Sequence, residues 1–285
     1  MSAAGTIWIL LPVHNRRAVT EAFVRCLARQ TDRAFHLVLL DDGSTDGTAD
    51  MVRASGLPAT VLEGRGDWWW GGALHKGYEW PREFAPGREH DLVLVMNDDT
   101  AFEPGFLAAG RAALAARPRT LLRAQRLDGP GGALVDVGVR ADWPGLRFPP
   151  TRDPAEVDCF GTRGLFIALA AFLALGGFRP RLLPHYLSDY EFTMRARRRG
   201  YRLASDPSVR LWLTEPTRGA PEAEAASASA FLRGRLATRS ALNPLHWTAF
   251  ILLACPAAWK LPGVARVWRD FLGQLRDAAR RGRSR

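Results

Sequence analysis

Lysine is nearly absent from this chain of 285 residues. Of its 39 basic side chains only Lys76 and Lys260 are lysines, and the others are arginines. Arginine holds its charge at any ordinary pH and suits two-pronged contact with phosphate or carboxylate. Cysteine is scarce too. Cys26, Cys159 and Cys255 lie too far apart for a zinc-ligand spacing and are odd in number, so neither a metal knuckle nor a disulfide framework is expected. A reducing, cytoplasmic setting follows as the expectation. Long apolar runs are missing: Gly164 to Phe178 and His246 to Trp259 fall short of the ~20 residues a membrane-spanning helix needs. Met1 to Gly5 has no basic character and Ile7 to Leu11 stops at Pro12, so no signal peptide is expected. Glycine-rich phosphate loops are also lacking. Pro12-Val13-His14-Asn15 follows the first apolar run, Trp69 stands where a third glycine would follow Gly64 and Gly66, and no G-K-[ST] occurs. These absences argue against a dinucleotide-dependent oxidoreductase and a P-loop enzyme.

What is present is the make-up of a folded protein with a large core, 47% hydrophobic and 24% charged. A net charge of +10 favours anionic partners. The arginines are spread along the chain and no nucleic-acid module is recognisable, so nucleic acid is not expected among them. Apolar runs at Ile7 to Leu11, His36 to Leu40, Ala59 to Leu62 and Leu92 to Met96 read as strands. Helical spacing occurs in the segments between, from Val19 to about Gln30, Thr48 to Ala54 and Gly72 to Trp80. That alternation predicts an α/β protein with a mostly parallel, doubly wound sheet and ligands at the carboxyl ends of its strands. A helix to about Ala116, a strand near Leu121 to Gln125, irregular structure with a hairpin over Asp128 to Pro150, and a helix opening at Asp189-Tyr190-Glu191 follow. Glu215 to Ala230 reads as a mobile linker. Ala265 to Arg285 reads as a basic helix with Val267, Phe271 and Leu275 on one face.

Three polar segments fall just after strands: Pro12 to Arg16, Asp41 to Ser44 and Asn97 to Thr100. Paired acids such as Asp98-Asp99 can hold Mg²⁺ or Mn²⁺ against a diphosphate, or simply populate a turn. In Asp41-Asp42-Gly43-Ser44 a carboxylate can accept the imide N–H of a pyrimidine base, or merely feed the next helix. Asp189 reads as a general base or as a charge complementing a helix dipole. Trp68-Trp69-Trp70 cannot all face one core, so at least one indole is expected at a surface or pocket, as part of an aromatic loop or a stacking surface.

Taken in order, Pro12-Val13-His14-Asn15-Arg16, Gln30-Thr31, Asp41 to Thr48, Asn97-Asp98-Asp99 and Ser188-Asp189-Tyr190-Glu191-Phe192 up to Arg195 resemble the pattern of glycosyltransferase family 2. The resemblance spans roughly residues 6 to 215. The Trp-Trp-Gly-Gly stretch and His185 to Phe192 look like a bacterial branch that includes rhamnosyltransferase-like proteins. It implies a GT-A fold over 1–215, with 216–285 as linker and C-terminal basic helical extension. The implied activity is inverting transfer of a single sugar from a nucleotide diphosphate (dTDP, UDP or GDP type) to a hydroxyl of a glycan or polyprenyl-linked saccharide. The implied roles are Asp189 as base, Asp99 on the metal, and Pro12, Asn15, Asp42, His75 and Asp98 on the donor. Trp69, Trp70, Tyr190 and Glu191 are the implied acceptor or sugar contacts. Departures from the family pattern are Asn97 for its first metal-motif aspartate, His75 for asparagine and Ser188 for glutamate. Val209 to Thr214 also offers no histidine ligand after the base helix. A processive synthase is disfavoured by the lack of spanning helices and of Q-x-x-R-W. The alternative function is a catalytically silent scaffold, against which the retained Asp42, Asp99 and Asp189 argue. For the Trp247 to Trp259 stretch and the basic tail two readings stand. One is peripheral attachment to the anionic inner face of the cytoplasmic membrane. The other is packing on the catalytic domain or on a second subunit of a homodimer.

Overall fold

Apolar runs with no polar alternation can settle only between two covered faces, and the strands here do so. The computed structural model describes residues 5–83, 88, 90–215 and 227–283. β1 (Ile7–Val13) leads through α1 (Arg17–Ala28) to β2 (Phe35–Asp41), then through α2 (Thr48–Arg53) to β3 (Ala59–Glu63). α3 (Trp69–Glu79) precedes β4 (Leu92–Val95), β5 (Thr100–Ala101), α4 (Phe106–Ala115) and β6 (Thr120–Leu127). Three short strands follow, β7 (Leu134–Asp136), β8 (Gly138–Val139) and β9 (Pro150–Thr151). β10 (Leu165–Ala168), α5 (Leu169–Leu175), α6 (Ser188–Arg198) and β11 (Arg202–Leu213) come next, and α7 (Ala228–Arg235), α8 (Pro244–Ala254) and α9 (Ala257–Arg283) close the chain.

The main sheet runs β3-β2-β1-β4-β10-β6-β11-β5, with β7 paired to β6. β3, β2, β1 and β4 are parallel, β10 is antiparallel to both β4 and β6, and β11 is parallel to β6. The chain winds outward from β1 to β3 and then returns to β4 on the other side of β1. Strand order therefore reverses beside β1, and a crevice opens at the carboxyl ends there. All seven residues of β1 are buried. Ile7, Ile9 and Leu11 join α1 and α4 in one core layer, and Trp8 and Leu10 join α3 and α5 in the other, the period of two that a strand imposes.

The structure corrects three expectations. Trp69 and Trp70 belong to the first turn of α3 rather than to a loop, because Asp42 receives the backbone N–H groups there. Of the expected linker, 216–226 lies outside the described residues, while Ala228–Arg235 forms α7, capped by Ser227. The last helix begins at Ala257, not Ala265, and continues through Pro262.

α8 starts where Asn243 Oδ1 accepts the N–H groups of Leu245 (2.9 Å) and His246 (3.4 Å), with Pro244 already set for a helix. It packs on the sheet-bearing part of the protein. Phe250 is fully buried among Leu183, Met194, Trp143 and Phe148, and Arg198 at the end of α6 donates to the carbonyls of Leu253 and Ala254. α7 and α9 meet through Phe231, Phe271 and Ala278. Among the described residues no helix is long and apolar enough to cross a membrane. Phe250→Ala should remove about 3–5 kcal/mol of unfolding free energy, the usual loss for a buried phenylalanine. Urea denaturation measures it, and a loss below about 1 kcal/mol would show that α8 is not part of the core.

Candidate active site

The crevice at the strand ends is a cleft of about 1030 Å³. Asp42, just past β2, organises one wall. Its Oδ1 accepts the N–H groups of Gly66 (2.9 Å) and Trp68 (3.1 Å), and its Oδ2 accepts that of Trp69 (2.9 Å). A carboxylate offers about four acceptor positions, so about one is left toward the cleft. The same bonds satisfy the exposed donors at the start of α3. They also hold Trp69 at a left-handed φ of 55°, strained for a bulky residue. Gly71 N–H donates to Pro184 O at 2.7 Å, and a Cβ on Gly71 would come within 2.5 Å of Leu183 O. α3 is thereby pressed against the segment that leads into α6.

After β4, Asp98 and Asp99 part company. Arg16 Nε donates to both Asp98 oxygens (3.0 and 2.9 Å) and Thr20 Oγ1 adds a third bond at 3.1 Å. Burial still pushes the Asp98 carboxyl above the usual carboxylate range, against the opposing pull of Arg16. Asp99 has one oxygen in use, Oδ2, which accepts from Arg163 Nη2 at 3.1 Å. Its Oδ1 is buried without a partner. A buried acceptor in that state costs free energy unless a ligand completes it, and a bare carboxylate oxygen is a hard donor of the kind Mg²⁺ or Mn²⁺ takes. Among the described residues no three His, Cys, Asp or Glu side chains gather into a metal site. Asp99 would therefore hold a cation together with ligand oxygens and water.

The opposite wall comes from α6. Trp70 Nε1 donates to Asp189 Oδ1 at 2.7 Å and Thr162 N–H to Oδ2 at 3.2 Å. Burial pushes the Asp189 carboxyl above its ordinary range, and the Trp70 hydrogen bond works in the other direction. Leu187, two residues earlier, also has a left-handed φ, 68°. Tyr190 stacks on Phe148 with ring centroids 5.5 Å apart, and Trp247 of α8 tilts against the same Phe148 at 6.0 Å.

Of the expected site residues, Pro12, Asp42, Trp69, Trp70, Asp98, Asp99, Asp189 and Tyr190 line this one cleft. Three do not. Asn15 braces the neighbouring turn, its Oδ1 accepting from Thr45 N–H at 2.8 Å and its own N–H donating to Ser44 Oγ at 2.8 Å. His75 stacks on Tyr78 (5.4 Å) and reaches Glu79 at 3.5 Å. It sits roughly 140° round α3 from Trp70, at about 100° per residue. Glu191 is 1% exposed and pairs with Arg195 at 2.9 Å, since two residues on a helix turn about 200° away from Asp189.

Arg16, Arg123, Arg126 and Arg163 also line the cleft, as do Leu242 and Trp247 from the C-terminal segment. Of the four arginines, Arg16 alone lay in a polar segment singled out from the sequence, and Trp247 opened the apolar stretch noted there. In a chain with so many arginines no sequence signal separates the others, although Arg123 and Arg126 flank the end of an apolar strand.

The glycosyl transferase family 2 model matches residues 8–134. Residues 8–134 thus match a glycosyl transferase family 2 domain, and the chain has the GT-A fold of the solved structures it is similar to. Among solved structures it is similar to the mannosyltransferase PcManGT of Pyrobaculum calidifontis in complex with GDP-Man and Mn²⁺. The two share 18% identity and a TM-score of 0.57 over 95% of this chain and 76% of that one. It is similar to GalNAc-T7 with UDP, GalNAc and Mn²⁺ (14% identity, TM-score 0.63, 95% of this chain), spanning 55% of that chain's length. It is similar also to residues 1–349 of S. aureus TarS in complex with UDP-GlcNAc (17% identity, TM-score 0.55, 97% and 74%). No curated protein matches it in sequence.

Asp42→Ala should leave three backbone donors unpaired and lower stability by on the order of 1–3 kcal/mol. Thermal unfolding monitored by tryptophan fluorescence reads both the loss and the release of Trp68 and Trp69. An unchanged midpoint and emission would exclude Asp42 as the organiser of this wall.

Proposed function

We propose that the protein moves a single sugar, with inversion, from a nucleotide diphosphate donor to a hydroxyl of a glycan or lipid-linked saccharide, with Asp189 as general base. The observation that carries the reading is the pair of carboxylates with opposite surroundings in one cleft. Asp189 is half-buried and its desolvation strengthens it as a base, whereas Asp99 has a bare oxygen beside a cationic neighbour. Inverting displacement needs both. The acceptor oxygen bonds to the anomeric carbon as the bond to the diphosphate oxygen breaks, and the acceptor's proton passes to Asp189. Trp70 and, at 3.5 Å, the Ser188 hydroxyl donate to Oδ1 of Asp189, and Thr162 N–H donates to Oδ2, fixing the carboxylate while leaving a lone pair on Oδ2.

On the donor side, the free acceptor position of Asp42 suits the N–H of a base. Asp98, locked by Arg16, faces the ribose or sugar, and Trp69, 36% exposed, offers an apolar face to a sugar ring. Four arginines and six carboxylates line the cleft, so an anionic diphosphate enters a site that is already negative. Bound Mg²⁺ or Mn²⁺, held by Asp99, would supply the positive charge that the leaving diphosphate needs. The bound species named for the similar structures, GDP-Man, UDP and UDP-GlcNAc, two of them with Mn²⁺, support this donor class.

Asp189→Asn should lower turnover about 10²- to 10⁴-fold while donor affinity, read by calorimetry, is retained; full activity would remove Asp189 as the base. EDTA should abolish turnover and Mn²⁺ restore it. In the wild type, activity should fall on acidification at a pH above the ordinary carboxylate value of about 3.9, because the base must be ionised. Trp70→Phe deletes a bond that favours the ionised form, so this acid limb of kcat/KM should move to still higher pH. A limb that stays in place would show that the indole does not tune the base.

A further inference from the structure

One cluster in the cleft is unused by this scheme. Asp136 of β7, 3% exposed, binds two arginines of β6 at once, Arg123 Nη1 on its Oδ1 and Arg126 Nε on its Oδ2 at 2.6 Å. One carboxylate between two guanidinium groups leaves a positive charge over. Arg123 is 6% exposed and its Nε is buried without a partner, while Arg126 makes no other bond among the described residues, so its terminal amino groups are not engaged. A buried ion pair is costly to desolvate, and an apolar pair would serve structure as well or better. An excess of half-buried guanidinium is completed by an oxyanion that accepts its fork of donors.

The surroundings place this anion site on the acceptor side. Arg163 stands in the field of Asp99 on one hand and of Arg123 and Arg126 on the other, and Tyr190 in that of Asp189, Arg123 and Asp136. The arginine pair thus binds Asp136 rather than the donor carboxylates, whose arginines are Arg16 and Arg163, and it lies near the residue after the base. The rest of this half of the cleft is apolar: Leu146, Phe148, Trp247 and Leu242, the last 50% exposed.

We infer that Arg126 and Arg123, locked by Asp136, form an anion subsite that recognises a phosphoryl group on the acceptor. The apolar wall beside it takes whatever that phosphate is attached to. The inference rests on the glycosyltransferase reading and narrows its acceptor to a phosphorylated saccharide, either soluble or joined through phosphate to an apolar chain.

Calorimetric titration of the full chain tests it with three probes: glucose 1-phosphate, decyl phosphate and decyl glucoside, each in the presence of Mn²⁺ and saturating UDP. The phosphate probes should bind the wild type and weaken by at least about tenfold in Arg126→Gln, with Arg126→Lys intermediate because it keeps charge but loses the fork. UDP affinity, titrated separately, should be the same in all three proteins. Decyl phosphate binding more tightly than glucose 1-phosphate assigns the lipid-linked source, and equal affinities assign the soluble one. No phosphate binding to the wild type, equal binding to Arg126→Gln, or decyl glucoside binding as tightly as decyl phosphate would overturn the inference. So would a parallel loss of UDP affinity, which would give the arginines to the donor. Failure of the wild type to bind any of UDP, GDP and dTDP would instead reject the underlying reading.

Discussion

Burying carboxylates at one end of a sheet is the constraint from which the rest of this site follows. Each acid there needs a counter-charge or a set of N–H donors, because an ion removed from water is otherwise unsupportable. The chain meets that need in three ways. Asp42 receives backbone donors, Asp98 and Asp136 receive arginines, and Asp189 receives an indole, a backbone amide and, at 3.5 Å, the Ser188 hydroxyl. The most completely satisfied of them shape walls. Asp99, with one oxygen unpaired, is the least completely satisfied of them.

Satisfying Asp42 also sets geometry at a distance. Its three bonds start α3 at Trp69, which aims Trp70 at Asp189 across the cleft. Gly71 lets α3 approach the chain before α6 so closely that no side chain would fit. The turn after β2 and the helix bearing Asp189, separated by nearly 150 residues of sequence, are therefore coupled through one short stretch of aromatic and glycine residues. A change at Asp42 would be felt at Asp189 as well as in the wall that Asp42 organises.

Much of the fold was legible because β1, β2 and β4 are buried on both faces and so appear as uninterrupted apolar runs, each ended by polar residues. The same polar residues mark strand ends, which is why the turns at 12–16, 41–44 and 97–100 were found together. Legibility failed where helical phase decides direction. His75 and Glu191 lie next to cleft residues in sequence yet point elsewhere, into a stack with Tyr78 and a pair with Arg195. It failed again for Arg123, Arg126 and Arg163, whose partners Asp136 and Asp99 are brought to them only by strand pairing and chain return. The antiparallel β10, short and apolar like its parallel neighbours, carries no local mark of its direction.

The family match ends at Leu134, where β7 begins, and the cleft divides near the same point. Asp42, Asp98 and Asp99 come before it, while Arg163, Asp189, Tyr190, Leu242 and Trp247 come after. The wall proposed to meet the donor is thus written before Leu134, whereas the wall proposed to meet the acceptor draws on both stretches, Arg123 and Arg126 from β6 and Asp136, Asp189, Tyr190, Leu242 and Trp247 from the chain beyond it. On that reading a new recipient would be addressed by changes after Leu134 together with Arg123 and Arg126, while the turns at 12–16, 41–44 and 97–100 could stay as they are.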